Sequence, residues 1–550
     1  MAETEKPLEI RVAQGTYKPN QGLIPIVSPG TPERGGPSPG KWPADEGNLA
    51  AFSLIDNVAL KGGYAGVVAS DPNARDIELY ETILSGDLNG DDIEVEDPSN
   101  SGDEPTWQDN CQKVVSSNDN DANAILDGFT IEGGRNYIWT YGSGPTGGGG
   151  MVIYKSNPTI IDCTFRDNSV RKCGGGIYNK SSSPTLINCT FSGNRADRGA
   201  GIYNGVSASP ESKYSSPALI DCTFNNNYAF SSGAGIYNNH GNPKLFNCTF
   251  NHNAAYISGG GMSWGENPEL VNCLFVQNTA GHGGAIVCDA NLTLVNCTFT
   301  NNSAIVGGGS ISTFEHNKLE INNCIFTGNK VFGEPPYPGS GGVFGLAGDE
   351  TTITNCTFYG NWAEQKSAIY KGSSSILRIC NSIIWDGEGA ISISNPSTFV
   401  VKHSDIQGGL EGEGNIDVDP FFTNPGYWAD TNDPNIIVEL NDSNAIWIEG
   451  DYHLQSQAGR WNPATQTWIQ DYVTSPCIDS GDPNSPIGLE PFPYGGYINM
   501  GAYGGTSEAS KSYFGDPLCE TIVAGDINGD CKVDQTDLDI LMMHWLAEHN

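Results

Sequence analysis

The feature that most constrains this chain is a short phrase, Asn/Asp-Cys-Thr-Phe with small variations, that recurs through its middle. Successive cysteines of the phrase lie 24 to 33 residues apart, and an asparagine follows each of its phenylalanines by three residues. These cysteines are Cys163, Cys189, Cys222, Cys248, Cys273, Cys297, Cys324 and Cys356, and Cys380 continues the series. A period of this length predicts one structural unit per repeat, stacked on its neighbours to bury a continuous core.

Each unit holds two or three short strands separated by turns rich in glycine and asparagine. The pattern predicts an all-β fold, a right-handed parallel β-helix of about twelve coils, with equivalent residues stacked at the ~4.8 Å strand spacing. Alternation within the phrase predicts that Ile161, Cys163 and Phe165 point inward while Asp162 and Thr164 point outward. The asparagine after each phenylalanine is expected to adopt a left-handed turn conformation and to bond neighbouring backbone groups.

The cysteine column is predicted to be buried, reduced and inert. A small thiol packs well in a narrow core. Metal or redox chemistry is the alternative, but the column has no Cys-x-x-Cys spacing and no histidine partner in register.

The repeat extends beyond the cysteines. The stretch 126–131 is expected to be an earlier coil, with Gly128 in the cysteine place or a one-residue slip, and 401–406 a later coil. Insertions around 205–216, 331–340 and 71–123 interrupt the period, and repeat proteins carry such loops on one face, often the working face. We predict N-terminal coils with a long acidic insertion (1–125), regular repeats (126–410), C-terminal coils and a cap (411–510), and a calcium module (511–550).

The charge balance limits the partners. The chain has 64 acidic and 27 basic residues, a formal net charge of −37. Such a surface repels nucleic acid and anionic membranes, and it counts mildly against a polyanionic substrate. No run of 18 apolar residues is present, so no membrane span is predicted. We expect an extracellular or cell-surface protein, with any leader removed or lying outside this sequence.

The stretch 525–538 contains the strongest chemical motif. Oxygen ligands recur at the spacing of a twelve-residue calcium loop, followed by an apolar helix. The predicted ligands are Asp526, Asn528, Asp530, the carbonyl of Lys532, Asp534 and Asp537, so calcium is the expected cofactor. A second stretch, 87–92, begins similarly but has Pro98 at the twelfth position, and we interpret it as a turn.

Three surfaces are candidates for function. The first is a ladder of outward residues: Asp162, Asn188, Asp221, Asn247, Asn272, Asn296, Asn323 and Asn355, with neighbouring threonines. It could lie along an ordered polymer, although simple sheet chemistry explains it equally.

The second is an aromatic column that could bind a glycan or could be ordinary aromatic packing: Tyr178, Tyr203, Tyr237 and Trp264, joined by Tyr370. The third is a charged cluster at adjacent turns: Lys172, Arg198, Asp197 and Tyr228, with Lys172 stacked over Arg198. A basic residue could take a proton there, as in a polysaccharide lyase, but a solvated turn fits these residues equally.

Several motifs resemble known families. Gly283-Gly284-Ala285-Ile286, paired with the Phe-x-x-Asn motif, resembles the repeats of chlamydial polymorphic membrane proteins over about residues 147–370, which implies a β-helical surface adhesin. The stretches 10–17, 60–64, 475–483 and 499–505 are similar to secreted β-helix proteins frequent in planctomycete-like bacteria.

The calcium loop resembles one repeat of a dockerin, with Cys531 in place of a glycine and a single loop where dockerins carry two. A disulfide between Cys519 and Cys531 is expected in an oxidising compartment.

Together these features favour a non-catalytic secreted or cell-surface β-helix that binds extracellular glycan or forms part of the cell envelope. A polysaccharide lyase or glycoside hydrolase on the same scaffold is the alternative, since fold does not fix function. Self-association through exposed end coils is a third hypothesis. An enzyme should show a cleft with convergent charged groups beside the insertions, whereas a binding protein should show an exposed aromatic strip.

Overall fold

The computed structural model describes residues 7–19, 51–93, 104–136, 147–206, 214–263, 265–314, 318–333, 341–347, 350–364, 368–372, 375–393, 398–439, 445–514, 525 and 532–547. The chain divides into two compact units, residues 1–268 and 269–550. This division falls inside the predicted repeat region and not at one of the predicted boundaries.

The first unit is a stack of coils whose strands pair in parallel with the equivalent strands of the next coil. We name the sheets A to D in the order in which one coil passes through them. Sheet A contains Leu8–Ala13, Val58–Tyr64, Ile125–Asp127, Thr159–Ile161, Thr185–Ile187, Ala218–Ile220 and Lys244–Phe246. Sheet B contains Gly15–Tyr17, Thr82–Ser85, Thr130–Glu132, Thr164–Arg166, Thr190–Ser192, Thr223–Asn225 and Thr249–Asn251. Sheet C contains Arg135–Asn136, Ser169–Val170, Arg195–Arg198, Tyr228–Ser232 and Ala254–Ser258. Sheet D contains Phe52–Ser53, Val115–Asn118, Met151–Tyr154, Ile177–Lys180, Ile202–Gly205, Ile236–Asn238 and Met262–Ser263.

The second unit repeats this plan. Its sheet A contains Glu269–Val271, Leu292–Val295, Lys318–Asn322, Glu350–Thr354, Ile376–Cys380 and Phe399–Lys402. Sheet B contains Leu274–Val276, Thr298–Thr300, Ile325–Thr327, Thr357–Tyr359, Ile383–Trp385 and Asp405–Ile406. Sheet C contains Thr279–His282, Ser303–Val306, Lys330–Val331 and Trp362–Ala363, and sheet D contains Ile286–Cys288, Ile311–Thr313, Phe344–Leu346, Ile369–Lys371 and Ile391–Ile393. Sheet A thus has seven strands in the first unit and six in the second, which confirms the predicted parallel β-helix.

After the last coil, the second unit changes to antiparallel pairing. Phe422–Asn424 pairs with Asp451–Leu454, and Arg460–Asn462 pairs with Thr467–Ile469. A three-stranded sheet contains Tyr427–Asp430, Asp433–Ile437 and Ala445–Ile448. The described α-helix is Gln535–Ala547, and a short 3-10 helix, Pro105–Trp107, lies in the acidic insertion of the first unit. No described helix is both long and apolar enough to cross a membrane.

The core consists of columns of identical side chains. In the first unit the rings of Phe165, Phe191, Phe224 and Phe250 stack with centroids 4.7 to 5.0 Å apart, which is the strand spacing. Beside them the thiols form a second column, buried and not disulfide-bonded, as predicted. Burial raises the pKa of the Cys163 thiol to about 12, so the thiol stays protonated and unreactive at neutral pH.

The repeated phrase does not form one alternating strand, so the predicted inward orientation of Ile161 is wrong, whereas Asp162 points outward as predicted. Ile160 is buried, whereas Ile161 is not. Asp162 is a corner between sheets A and B, with a φ of 51° in the left-handed region. A single left-handed residue turns the chain, and inward alternation restarts after it with Cys163 and Phe165.

The second corner, between sheets B and C, also differs from the prediction. The left-handed residue is Asp167 (φ 53°) and not the asparagine that follows it. Asn168 is fully buried and points into the coil. Asparagine side chains therefore bond the backbone as expected, but from inside the core and not from the turn.

These buried asparagines form a ladder along the coils, and Asn194 is typical of it. Its Nδ2 donates to the carbonyl of Phe165 (2.8 Å) and to Oδ1 of Asn227 (3.0 Å). Its Oδ1 accepts from the backbone N–H of Asn168 (3.1 Å). The ladder contains Asn168, Asn194, Asn227 and Asn253 in the first unit, and Asn278, Asn302, Asn329 and Asn361, ending at Asp386, in the second.

For the coil at 126–131 the one-residue slip is confirmed, and the place of Cys380 in the cysteine column needs correction. Asp127 pairs with Ile161 and Thr130 with Thr164, so Gly128 occupies the corner and Phe129 the cysteine place. Cys380 pairs with Thr354, two residues before the column. The column instead continues through Ser382, whose Oγ accepts from the backbone N–H of Cys356 (3.1 Å).

In the second unit, the antiparallel strands and the loops after them fold back over sheet B. The Trp428 indole donates to the carbonyl of Gly360 (2.9 Å), and Thr327 donates to Glu449 (3.0 Å). Gly360 is a left-handed corner, and a Cβ added there would lie 2.1 Å from the Trp447 ring. The absent side chain at this corner makes room for the indole.

The ladder generates a stability prediction. We expect Asn194→Ala to lower the free energy of unfolding of the first unit by ~2–4 kcal/mol, because it leaves buried backbone and amide groups without partners. Asn225→Ala, on the outward side of sheet B, is the matched control and should cost less than ~1 kcal/mol. Chemical denaturation of both variants measures the difference, and equal losses would show that the ladder contributes little.

Candidate functional site

A cleft of about 490 Å³ opens at the corner between sheets B and C of the first unit. Three stacked corner positions, Gly133, Asp167 and Gly193, form one side of it. Arg135 and Arg195 begin sheet C strands at its rim, and the acidic insertion supplies the opposite wall. A concave site of this volume, built from a rigid sheet and a loop, is typical of ligand sites.

The wall is fixed by Trp107, which is buried at the end of the 3-10 helix Pro105–Trp107. Its indole N–H donates to the carbonyl of Ile93 (3.3 Å), which holds two parts of the insertion together. The guanidinium of Arg135 lies 4.0 Å from the centre of the indole ring and also donates to the carbonyl of Asp167. This cation–π contact ties the insertion to the coils.

Asp92 is the most perturbed acid in the cleft. Burial raises its pKa to about 6, although Asn110 donates to its Oδ2 (2.8 Å) and Arg135 lies 3.7 Å away. Its other oxygen, Oδ1, is buried and has no hydrogen-bond partner among the described residues. A carboxyl group with a pKa near 6 changes its protonation state around that pH, so Asp92 is the acid–base candidate of the cleft.

Further carboxylates surround Asp92. Asp87, Glu132 and Asp167 line the same cleft, and Glu132 is held by Arg166 (2.7 Å), which also contacts Glu81 (3.0 Å). With Arg135 and Arg195 the cleft therefore offers both hydrogen-bond acceptors and donors to a polar ligand.

The carboxylates of Asp87, Asp91 and Asp109 lie within 4.8 Å of one another. Asp87 accepts from the backbone N–H of Gly90 (2.6 Å), and Asp109 accepts from that of Asn89 (2.8 Å). We assign the cluster to capping the turn, the role predicted for 87–92.

The predicted charged cluster is arranged differently from the sequence expectation. Arg198 is in register with Cys173 and not with Lys172, whose carbonyl accepts from the Arg198 backbone. Arg198 lies near Asp197 (3.6 Å), while Tyr228 is in register with Arg195. Tyr228 therefore lies in the next coil, as expected, but beside Arg195 and not beside Arg198.

The predicted tyrosine column exists, but its ring faces are not open. Tyr178, Tyr203 and Tyr237 stack with centroids 5.3 Å apart and nearly parallel planes. Tyr203 and Tyr237 are only 8% and 7% exposed, and the Arg198 guanidinium lies 5.5 Å from the Tyr237 ring centre. The rings cover one another, which matches the packing alternative, and Trp264 lies outside the described residues.

The predicted polar ladder is a column of corner residues that partner one another. Asn188 donates to Asp162 (2.7 Å) and Asn247 to Asp221 (3.0 Å). In the second unit, Asn323 donates to the carbonyls of Ala502 (2.9 Å) and Gly504 (2.8 Å), so the fold-back covers it. The ladder as a whole is not a free array for a polymer.

Of the predicted calcium ligands, Asp526, Asn528 and Asp530 lie outside the described residues. Lys532, Asp534 and Asp537 are described just before and within the helix Gln535–Ala547. Asp537 is buried, and its Oδ2 accepts from the backbone N–H of Asp534 (2.7 Å). Calcium binding at this loop stays a prediction.

Sequence reasoning indicated the insertion 71–123 as a working face but did not identify Asp92, Trp107, Arg135 or Arg195. One signal was available for the two arginines. Each opens a sheet C strand, and Ser169, in the coil between them, is in register with both. Aligning the coils by register therefore places both arginines in one column. The contacts of Trp107 and Asp92 depend on the path of the insertion. Its sequence does not repeat, so these contacts could not be predicted.

Two family models match the chain. Residues 108–275 and 211–342 match the model described as "Right handed beta helix region", and residues 431–481 match "Disaggregatase related", which overlaps the antiparallel strands. No curated protein and no solved structure matches. The family match and the long parallel sheets together show a right-handed parallel β-helix.

Proposed function

We propose that this protein binds extracellular glycan through the cleft beside its acidic insertion. The observation that carries the proposal is the mixed lining of that cleft. Carboxylates accept hydrogen bonds, the two arginines donate them, and sugar hydroxyls do both. Stacked corners and the Arg135–Trp107 contact hold these groups in place before a ligand arrives, which lowers the cost of ordering the site.

The expected location and cofactor belong to the same proposal. A chain with a formal charge of −37 and few cationic groups suits the extracellular space or the cell surface, where calcium is abundant. Calcium would be held by the loop that ends at Asp537, where it would order the start of the C-terminal helix.

Glycoside hydrolysis is a second candidate, favoured by Asp92. Glycosidases use one carboxyl group as acid and another as base or nucleophile. The raised pKa of Asp92 suits the acid, and Asp87, Glu132 and Asp167 are the carboxylates from which the second group would come. A lyase is less favoured, because it requires an acidic sugar beside these carboxylates.

The binding proposal predicts the effect of removing Arg195. Arg195→Ala should weaken glycan binding about tenfold or more, since a hydrogen bond to a charged group contributes ~1.5–3 kcal/mol. Arg378→Ala removes an exposed arginine on sheet A of the second unit and should leave binding unchanged. Affinity electrophoresis against a polysaccharide panel measures both, and equal behaviour of the two variants would exclude the cleft.

The hydrolysis candidate predicts a pH profile. Because the acid must be protonated, release of reducing ends should fall as pH rises through about 6. Asp92→Asn should reduce the rate about 10²–10⁴-fold while binding persists, because the amide can still accept from Asn110. Asp119→Asn, at an exposed turn, is the control. A wild-type protein that binds glycan but releases no reducing ends at any pH would leave binding as the function.

The calcium proposal is tested by titration calorimetry with CaCl₂. Asp534→Ala should weaken calcium binding about tenfold or more, because the site loses a charged ligand. Asp539→Ala removes a carboxylate from the same helix outside the ligand set, and we expect the wild-type affinity. A wild-type chain that shows no heat of calcium binding would refute the proposal.

A further inference from the structure

The face of sheet C in the first unit continues outward from the cleft. Arg135, Ser169, Arg195 and Tyr228 follow one another in register from coil to coil. Adjacent parallel strands lie ~4.8 Å apart, so Tyr228 is ~14 Å from Arg135 along the stack. The buried neighbours Ala196 and Ala229 face the core, so Arg195 and Tyr228 face away from it.

A β-bulge enlarges this face beyond Arg195. Ala196 pairs with Ala229, but Arg198 pairs with Ser232, so the strand Tyr228–Ser232 contains one extra residue. The next strand keeps the longer form, with Ala255 paired to Ala229 and Ser258 to Ser232. The extra residue turns two consecutive side chains outward, and Tyr256 and Ile257 are both exposed.

The result is an aromatic patch next to the cleft, made of Tyr228, Phe230, Tyr256 and Ile257. The rings of Tyr228 and Phe230 contact edge to face, with centroids 5.1 Å apart. Tyr256 is 75% exposed, in contrast to the tyrosine column on sheet D, whose ring faces are covered. A large exposed aromatic side chain with an exposed isoleucine beside it on a flat strand face marks an interaction surface.

From this continuity we infer that the ligand is a linear, uncharged polysaccharide that lies along sheet C, with one end in the cleft and the following sugars on the aromatic patch. The inference rests on the proposed glycan-binding function and extends it to a ligand class and a path. The apolar faces of sugar rings would pack on Tyr256 and Phe230, while hydroxyl groups bond the carboxylates and arginines of the cleft.

The charges of the site favour an uncharged polymer. Asp87, Asp92, Glu132 and Asp167 outnumber Arg135 and Arg195 in the cleft lining, and the whole chain has 64 acidic against 27 basic residues. An acidic polysaccharide would be repelled by the carboxylates of the cleft and, at long range, by the net negative charge of the protein. An uncharged sugar chain would experience neither repulsion.

Calorimetry with oligosaccharides of increasing length tests the inference. The ligands are uncharged β-linked gluco-, manno- and xylo-oligosaccharides from disaccharide to octasaccharide, and oligogalacturonates of the same lengths as the acidic series. We expect an uncharged series to bind more tightly as it lengthens. Tyr256→Ala should lower the affinity for the longest ligand about tenfold and leave the affinity for the shortest binding ligand unchanged. Arg195→Ala should lower the affinity for both ligands.

The matched control is Tyr472→Ala, which removes a 99% exposed tyrosine from a loop of the second unit and should change nothing. Affinity that does not increase with length, or a Tyr256→Ala variant that binds the longest ligand like wild type, would overturn the path while the cleft proposal stands. Tighter binding of the oligogalacturonates would overturn the uncharged ligand class. Failure of the wild type to bind any glycan would remove the proposed function as well.

Discussion

The structure depends on satisfying backbone hydrogen bonds at corners that are buried. A coil this narrow turns sharply between sheets B and C, where the sheet ladders alone do not pair every backbone group. A buried asparagine in each coil solves this, because its amide both donates to a carbonyl of the preceding coil and accepts from that coil's backbone N–H. An unpaired polar group in such a place would cost ~1–3 kcal/mol.

Rigid corners also explain why a function can be built on an irregular insertion. The described parts of the insertion, up to Ile93 and from Glu104, are bound from the coil side, since Arg135 contacts Trp107 and Asp92 and the carbonyl of Gly133 accepts from Asn110. The coils supply fixed positions, and the insertion supplies chemistry that differs from the repeat. This division of roles places the perturbed carboxyl where a regular element meets an irregular one.

Much of the fold could be predicted from the sequence, because stacking repeats one set of contacts many times. The phenylalanine and cysteine columns are confirmed in this way. The corner at Asp162 was missed, because alternation assumes a continuous strand and does not reveal a left-handed residue. The next corner was predicted one residue too late, at Asn168 and not at Asp167. For the cleft, only the insertion that forms its wall could be predicted and not the residues involved. The contacts of Asp92 and Trp107 occur once, so the repeat pattern carries no information about them. The bulge in sheet C could not be predicted either, because a single extra residue leaves no periodic trace.

The asparagine ladder has a direction. Within each unit the amides donate to the asparagine of the next coil, and in the second unit the series ends at Asp386, whose carboxyl oxygens accept from Asn361. The described links within a unit are of one kind, so inserting or deleting one whole coil leaves the remaining links of that unit intact and still ends on the same acceptor. Gene duplication can therefore change the length of such a protein in single-coil steps without redesigning its core, whereas the terminating residue is needed once and only at one end.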